Sequence, residues 1–202
     1  MTNELRPIRG ADVEDASRRA TERLIERARR DRLEDVAVAT VDSPVGALLI
    51  AATRRGLVRV AFPEERPDLV VQELAEDLSP RVLEDPRALE RIRRQLEEYF
   101  EGRRHRFETR IDWSLAPSGF SRKVLEAAGR IPYGSVATYG EMARRAGSPR
   151  AARAAGNALH DNPVPIVVPC HRVVPAGGGI GKYGGEEWRK ELLLRLEGAL
   201  AE

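Results

Sequence analysis

The sequence predicts an α+β protein in two lobes: an amino-terminal lobe with an antiparallel sheet and helices, and a mostly helical carboxy-terminal lobe with a helix-turn-helix. Three observations carry this. Runs rich in Val, Ile, Leu and Ala at 36–41, 45–52 and 56–62 are separated by Asp42-Ser43-Pro44 and Thr53-Arg54-Arg55, so an antiparallel meander is the shortest connection. Leu115-Ala116-Pro117-Ser118-Gly119 then interrupts the pattern and reads as the boundary between lobes. Beyond it, two helical segments meet at Gly147, which is the signature of a helix-turn-helix. At 202 residues the chain is long enough to bury a substantial core. The predicted division is a charged helical extension over 1–34, an α+β lobe over 35–114 and a helix-turn-helix lobe over 115–202, which also carries the candidate site.

Residues 13–30 read as a charged helix with a thin apolar stripe of Val13, Ala16, Ala20, Leu24 and Ala28. After the three strands, helices are predicted over 68–78 and 87–101, followed by a strand over 106–111. In the second lobe a helix is expected over 121–129. Thr138-Tyr139-Gly140-Glu141 has the Thr-x-x-Glu spacing of a capping box, in which hydroxyl and carboxylate satisfy backbone donors at a helix start. That helix should run to Ala146. Ser148 as N-cap and Pro149 as first helical residue predict a second helix from 149 to about 160. Arg150, Arg153 and Asn157 share one of its faces, while its alanines and Gly156 allow close approach of a backbone. A last helix is expected over 187–200, with Trp188, Leu192, Leu196 and Ala199 as its apolar stripe. Glu197 flanks that stripe and, on pattern alone, reads as an exposed rim carboxylate.

The formal charge is only +2, but residues 114–185 hold nine Lys/Arg against three Asp/Glu, a net of +6 that leaves −4 on the flanks. Such a local excess suits a polyanion-facing surface. A single cysteine cannot form an internal disulfide, and with only three histidines a closed zinc site is hard to assemble, so neither a metal nor another cofactor is expected. The charged opening stretch contains neither a signal-peptide pattern nor a membrane span, which points to a soluble, cytoplasmic protein with no membrane partner.

The chemistry concentrates at Pro163-Val164-Pro165-Ile166-Val167-Val168-Pro169, which leads into Cys170, His171 and Arg172. A thiol is a nucleophile as its thiolate, and neighbouring imidazole or guanidinium groups favour that form. Were this segment extended, adjacent side chains would point to opposite sides, so a thiol–imidazole link would need a turn or a bridging water. Glu197 is the candidate carboxylate to orient the imidazole. Residues 179–184 match Gly-x-Gly-x-x-Gly, yet the chain ends with the following helix and supplies no second strand, so dinucleotide binding is rejected. A flap beside the thiol explains these glycines better, with Tyr183 able to close over a ligand.

A helix-turn-helix with a small-residue second helix, followed ten residues later by Val168-Pro169-Cys170-His171-Arg172-Val173-Val174, resembles the O6-alkylguanine-DNA alkyltransferases. The resemblance covers residues 43–198, is strongest from Tyr133 onward, and is looser in the first lobe, where Ser43-Pro44-Val45-Gly46 carries it. It implies a ribonuclease-H-like first lobe and direct-reversal DNA repair, in which an O6-alkylguanine is flipped out of double-stranded DNA through the minor groove. The alkyl group would pass irreversibly to Cys170, once per molecule. Cys170 would be activated through a water by His171, which Glu197 orients. Arg153 would fill the gap left by the flipped nucleotide, with Arg150 and Asn157 on the same DNA-facing surface. Tyr139 would help rotate the base and donate a proton toward its ring. Asn162 would tie the reading helix to the active-site segment, and the Val173 carbonyl would accept from the guanine amino group. Tyr183 and Gly184 would lie on the active-site loop, and Arg172 beside the relay. The resemblance also implies a monomer in solution, with cooperativity along DNA left open. Two other classes fit the pattern less well. Alkyltransferase-like lesion sensors lack the cysteine, and a transcriptional regulator needs more base-reading side chains than an alanine-rich helix supplies.

Overall fold

The computed structural model describes residues 18–21, 23, 27, 35–181 and 186–200. Most of the helix predicted over 13–30 lies outside the described residues, as do Tyr183 and Gly184.

Strands β1 (Val36–Val41), β2 (Leu48–Thr53) and β3 (Gly56–Ala61) form the predicted meander, with Val41 opposite Leu48 in the first hairpin. β2 starts three residues later than its β propensity suggests. The Ser43 hydroxyl accepts from Val45 N at 3.2 Å and donates to Gly46 O at 2.6 Å, so this stretch turns rather than pairs. Helix α1 (Pro67–Asp77) follows, then strand β4 (Val82–Glu84), then helix α2 (Glu90–Phe100).

β4 runs parallel to β1, giving the order β3-β2-β1-β4. The sheet is therefore mixed, which corrects the expectation of a wholly antiparallel one; three residues are too few to display an alternating pattern. The strand predicted over 106–111 is reduced to a single bridge between Ile111 and Leu57. There Leu57 N donates to Arg110 O at 2.9 Å and Asp112 N to Leu57 O at 2.8 Å. Gly56, at φ 143°, makes this crossing possible, since a Cβ on it would stand 2.2 Å from Arg110 O.

Both faces of the sheet are covered. Val36, Val38, Leu49, Ala51 and Val58 pack against Val70 and Leu74 of α1. The alternate residues Ala37, Ala39, Leu48, Ile50 and Leu57 join Leu96 and Tyr99 of α2 in a core that continues without a break into the second lobe, through Val124, Leu125, Met142, Leu159 and Val164.

The second lobe contains helices α3 (Phe120–Ala128), α4 (Tyr139–Arg145), α5 (Ala152–His160) and α6 (Glu187–Leu196). Two short strands, β5 (Ala137–Thr138) and β6 (Val173–Val174), pair in parallel beside the site. The capping box forms as read: the Thr138 hydroxyl accepts from Glu141 N, and the Glu141 carboxylate accepts from Thr138 N. Gly147 at φ 88° ends α4, with Ser148 N returning to Ala143 O at 2.9 Å. The second helix begins at Ala152 rather than Pro149, because Ser148 O accepts from Ala151 N and holds Pro149 and Arg150 in a turn. Arg150 thus stands ahead of α5 and not on its helical face, a correction to the sequence reading.

Candidate active site

The segment entering Cys170 is bent twice. Val167 N donates to Pro165 O at 2.9 Å around Ile166, whose φ is +71°, and Cys170 N donates to Val168 O at 2.8 Å around Pro169 at φ −80°, ψ 67°. These are two γ-turns of opposite hand. A β-branched residue at positive φ costs about 1–3 kcal/mol and persists only where its surroundings hold it. Here Ile166 is fully buried, Val60 N of β3 grips Pro163 O at 2.9 Å, and buried Asn162 clamps the bend. Asn162 Nδ2 donates to Val168 O at 2.8 Å and lies 3.0 Å from Cys170 Sγ, while its Oδ1 accepts from Val164 N at 3.1 Å.

Cys170–Arg172 is a 3-10 turn, not an extended strand. Successive side chains in such a turn diverge by about 120°, so thiol and imidazole still leave the backbone in different directions. His171 is fully buried and its Nε2 is 2.9 Å from Glu197 Oε1. A carboxylate only accepts, so Nε2 carries the proton and Nδ1 is left as the basic nitrogen. Burial pulls the His171 pKa down against the opposing pull of Glu197, which favours the neutral ring.

Glu197, expected at the rim, is 4% exposed. Its carboxylate also takes Arg172 Nε at 2.8 Å, Arg172 Nη2 at 2.9 Å and the Tyr99 hydroxyl at 2.7 Å. Burial alone would raise its pKa; the hydrogen bonds from His171 and Arg172 outweigh that and hold it at about 2. Arg172 is completed by Ile131 O at 2.6 Å. The buried side of α6 is consequently Arg189, Lys190, Leu193 and Leu194, with Glu197 one turn on, and Trp188 is 46% exposed. Of the predicted stripe, Leu192 and Leu196 are half-buried against the core and Trp188 lies outside it, since counting apolar residues alone passes over charges that are buried with partners.

Cys170 opens onto a cavity of about 780 Å³ shared with Tyr139, Gly156, Asn157, Asn162 and Pro163. Tyr139 starts α4, and a Cβ on Gly156 would stand 3.7 Å from its ring, so α5 lies close over the tyrosine. Burial, then the nearby Cys170, raises the Tyr139 pKa and keeps its hydroxyl protonated. The Val173 carbonyl accepts from buried Lys190 Nζ at 2.6 Å; burial lowers the lysine's pKa to about 8. On the outward side of α5, Arg153, Ala154, Asn157 and His160 are exposed, and Arg150 is exposed beside them.

The structure therefore sets Cys170, Asn162 and Tyr139 on one cavity, buries His171, Arg172 and Glu197 as a bonded cluster next along the chain from the thiol, with Val173 following, and leaves Arg150, Arg153 and Asn157 exposed. Sequence reasoning missed Tyr99, which arrives from the other lobe, and Lys190. Lys190 had a signal, since it lies seven residues before Glu197 and thus on the same helix face; Tyr99 had none. Arg189 was also missed. It is 1% exposed, bonds Glu64 of the first lobe at 2.9 Å and lies over the Phe62 ring at 4.1 Å. Among the described residues no group of three His, Cys, Asp or Glu could hold a metal ion, and no helix is long and apolar enough to cross a membrane.

Two family models match the chain: the 6-O-methylguanine DNA methyltransferase ribonuclease-like domain over residues 36–113, and the DNA-binding domain of the same family over residues 119–199. A methylated-DNA--protein-cysteine methyltransferase from Methanosarcina acetivorans is 38% identical over 80% of this chain and 97% of its own. One from Mycolicibacterium paratuberculosis is 41% identical over 78% of this chain and 90% of its own. Among solved structures, the Mycobacterium tuberculosis O6-methylguanine methyltransferase superposes with a TM-score of 0.71 at 36% identity, covering 83% of this chain and 95% of that one. The OGT of that organism in complex with DNA gives 0.68 at 37% identity, covering 80% and 92%. With the site's geometry and these matches in agreement along nearly the whole described sequence, the chain belongs to the 6-O-methylguanine DNA methyltransferase family.

Proposed function

We propose that this protein repairs DNA by taking the alkyl group of an O6-alkylguanine onto Cys170. The observation that carries the reading is the placement of the thiol: it opens on a cavity, and the next residue in the chain is a buried imidazole held by a carboxylate. O6 lies within the duplex, so the nucleotide must leave the stack, at a cost of a few kcal/mol that is smaller for a badly paired base. The small residues of α5 suit close approach to the minor groove, and Arg153, exposed on that helix, is long and cationic enough to replace the lost stacking. Arg150 and Asn157 supply further polar contacts. A relative's complex with DNA supports the same partner for this chain.

In the reaction a water between Cys170 and His171 Nδ1 carries the thiol proton to the imidazole, while Glu197 holds the ring and stabilises the cation that forms. The thiolate attacks the alkyl carbon in line, the S–C bond forms and the C–O6 bond breaks. Tyr139, kept protonated, donates toward the guanine ring as the leaving group gains electrons. The Val173 carbonyl has a second lone pair for the guanine amino group beside its bond from Lys190. A thioether has no return route, so each molecule acts once. The test is intact-protein mass spectrometry after mixing with duplex DNA that contains one O6-methylguanine. One added methyl per molecule, mapped to Cys170, is expected, with Cys170→Ser binding the duplex but gaining no mass. Binding without mass change in the unaltered protein would make it a lesion sensor instead.

A further inference from the structure

The Glu197 oxygen that serves the histidine is shared. Oε1 accepts from His171 Nε2 at 2.9 Å, from Arg172 Nη2 at 2.9 Å and from the Tyr99 hydroxyl at 2.7 Å, the shortest of the three. Tyr99 belongs to α2, in the other lobe, 98 residues away along the chain. Its ring is fully buried and fixed on several sides, edge-on to Phe100 at 5.3 Å and to Tyr133 at 6.2 Å and tilted against Phe107 at 5.4 Å. Packing of this kind requires only a phenyl ring. The hydroxyl is an added polar group in a closed core, where it would be costly without a partner, and its partner is the relay carboxylate.

We propose that Tyr99 is a positioning residue of the thiol relay: its hydroxyl takes a share of the Glu197 charge that would otherwise fall on His171, and so helps keep the imidazole a neutral base. The inference rests on the relay reading of Cys170, His171 and Glu197 given above. A hydrogen bond to a carboxylate in a low-dielectric site withdraws charge from the oxygen it reaches, and three donors on one oxygen compete. The other charged and titratable groups facing the pair are Arg172, Lys190, Tyr133 and, beyond Cys170, Tyr139; Tyr133 sends its hydroxyl to Leu196 O at 2.9 Å. None of these comes from the amino-terminal lobe. Tyr99 is thus a direct bond from that lobe into the relay.

Removing the hydroxyl leaves more of the carboxylate's charge on His171. The imidazolium becomes easier to form, and with it the thiolate–imidazolium pair. A role confined to holding the parts in place predicts the opposite, since a loosened relay returns the thiol toward its ordinary titration near about 8.5.

The experiment is the rate of Cys170 alkylation by iodoacetamide as a function of pH, on the full chain. It is run on the unaltered protein, on Tyr99→Phe and on protein carrying 3-fluorotyrosine at position 99, whose hydroxyl is a stronger donor. Tyr99→Phe should move the acid-limb midpoint down by about half a unit, roughly a threefold gain in thiolate at a given pH on that limb. The fluorinated residue, which keeps the fold's hydroxyl and ring, should move it up. Unchanged midpoints in both variants, or an upward shift in Tyr99→Phe, would overturn the proposal. Should Tyr99→Phe fail to fold, the fluorinated protein decides alone by the sign of its shift. An unaltered protein that titrates as an ordinary thiol would overturn the relay reading itself, an outcome distinct from equal but depressed midpoints.

Discussion

At the scale of single residues, Glu197 is the point where structure and chemistry meet. Its carboxyl is held at about 2 in the fold against an ordinary value of 4.5. The group therefore contributes stability that is complete above about pH 4.5 and is lost as the pH falls toward 2, because the unfolded chain binds the proton first. Glu197→Gln should flatten this acid slope and lower stability at pH 7 by about 3 kcal/mol, since Arg172 is left without its charge partner in a buried site. Urea unfolding of both proteins between pH 3 and 7 checks this; parallel acid slopes would show that another carboxylate controls the transition. Which of these residues could be read in advance depends on how local their signal is. Cys170, His171 and Arg172 are adjacent and stand out as a cluster. Glu197 could be nominated by residue type but not placed, because its burial depends on donors from three distant segments. Tyr99 was out of reach, since an aromatic at a core position of an amphipathic helix looks the same whether its hydroxyl is used or idle.

At the scale of elements, caps were legible and entries less so. The Thr138–Glu141 box and the Gly147 stop are satisfied within a few residues, so sequence specifies them. The start of α5 was misplaced because Ser148 has two ways to satisfy neighbouring donors, and its carbonyl closes a turn on Ala151 N instead of its hydroxyl capping a helix. β4 was missed because its three residues acquire meaning only from β1 alongside. The outward side of α5 carries Arg153 and Asn157. Arg153→Ala should slow repair of O6-methylguanine in duplex DNA by about 30-fold or more, the cost of roughly 2 kcal/mol lost from holding the base out of the stack. Reaction with free O6-benzylguanine should change less than twofold, as no stack is opened. Equal losses on the two substrates, followed by the loss of parent protein in the mass spectrum, would remove Arg153 from that role.

At the scale of the whole molecule, the two lobes share one core and are joined by polar ties. Leu96 and Tyr99 of the first lobe lie in the same cluster as Leu125, Leu159 and Ile166 of the second. Tyr99 to Glu197, Val60 to Pro163 and Arg189 to Glu64 cross between them. Neither lobe can leave without exposing apolar surface and unpairing buried groups, so unfolding should be one cooperative step. The chain's two tryptophans report on opposite sides of the boundary, Trp113 at the end of the first lobe and Trp188 on α6. In Trp113→Phe and Trp188→Phe variants the remaining fluorescence should give coincident urea transitions; midpoints separated by more than experimental scatter would mean that the lobes melt apart. The same ties bear on behaviour in concentrated solution. β3 is a terminal strand of the sheet, yet Leu57 is paired with Arg110 and Asp112, and Val60 with Pro163, along its outer edge. An open edge is a template for pairing with another chain, and here the segment that leads into Cys170 occupies part of it. Loosening that segment would uncover a strand edge as well as disturb the thiol, so variants that weaken its anchorage should tend to self-associate through the sheet, a route to aggregation that the intact molecule keeps closed.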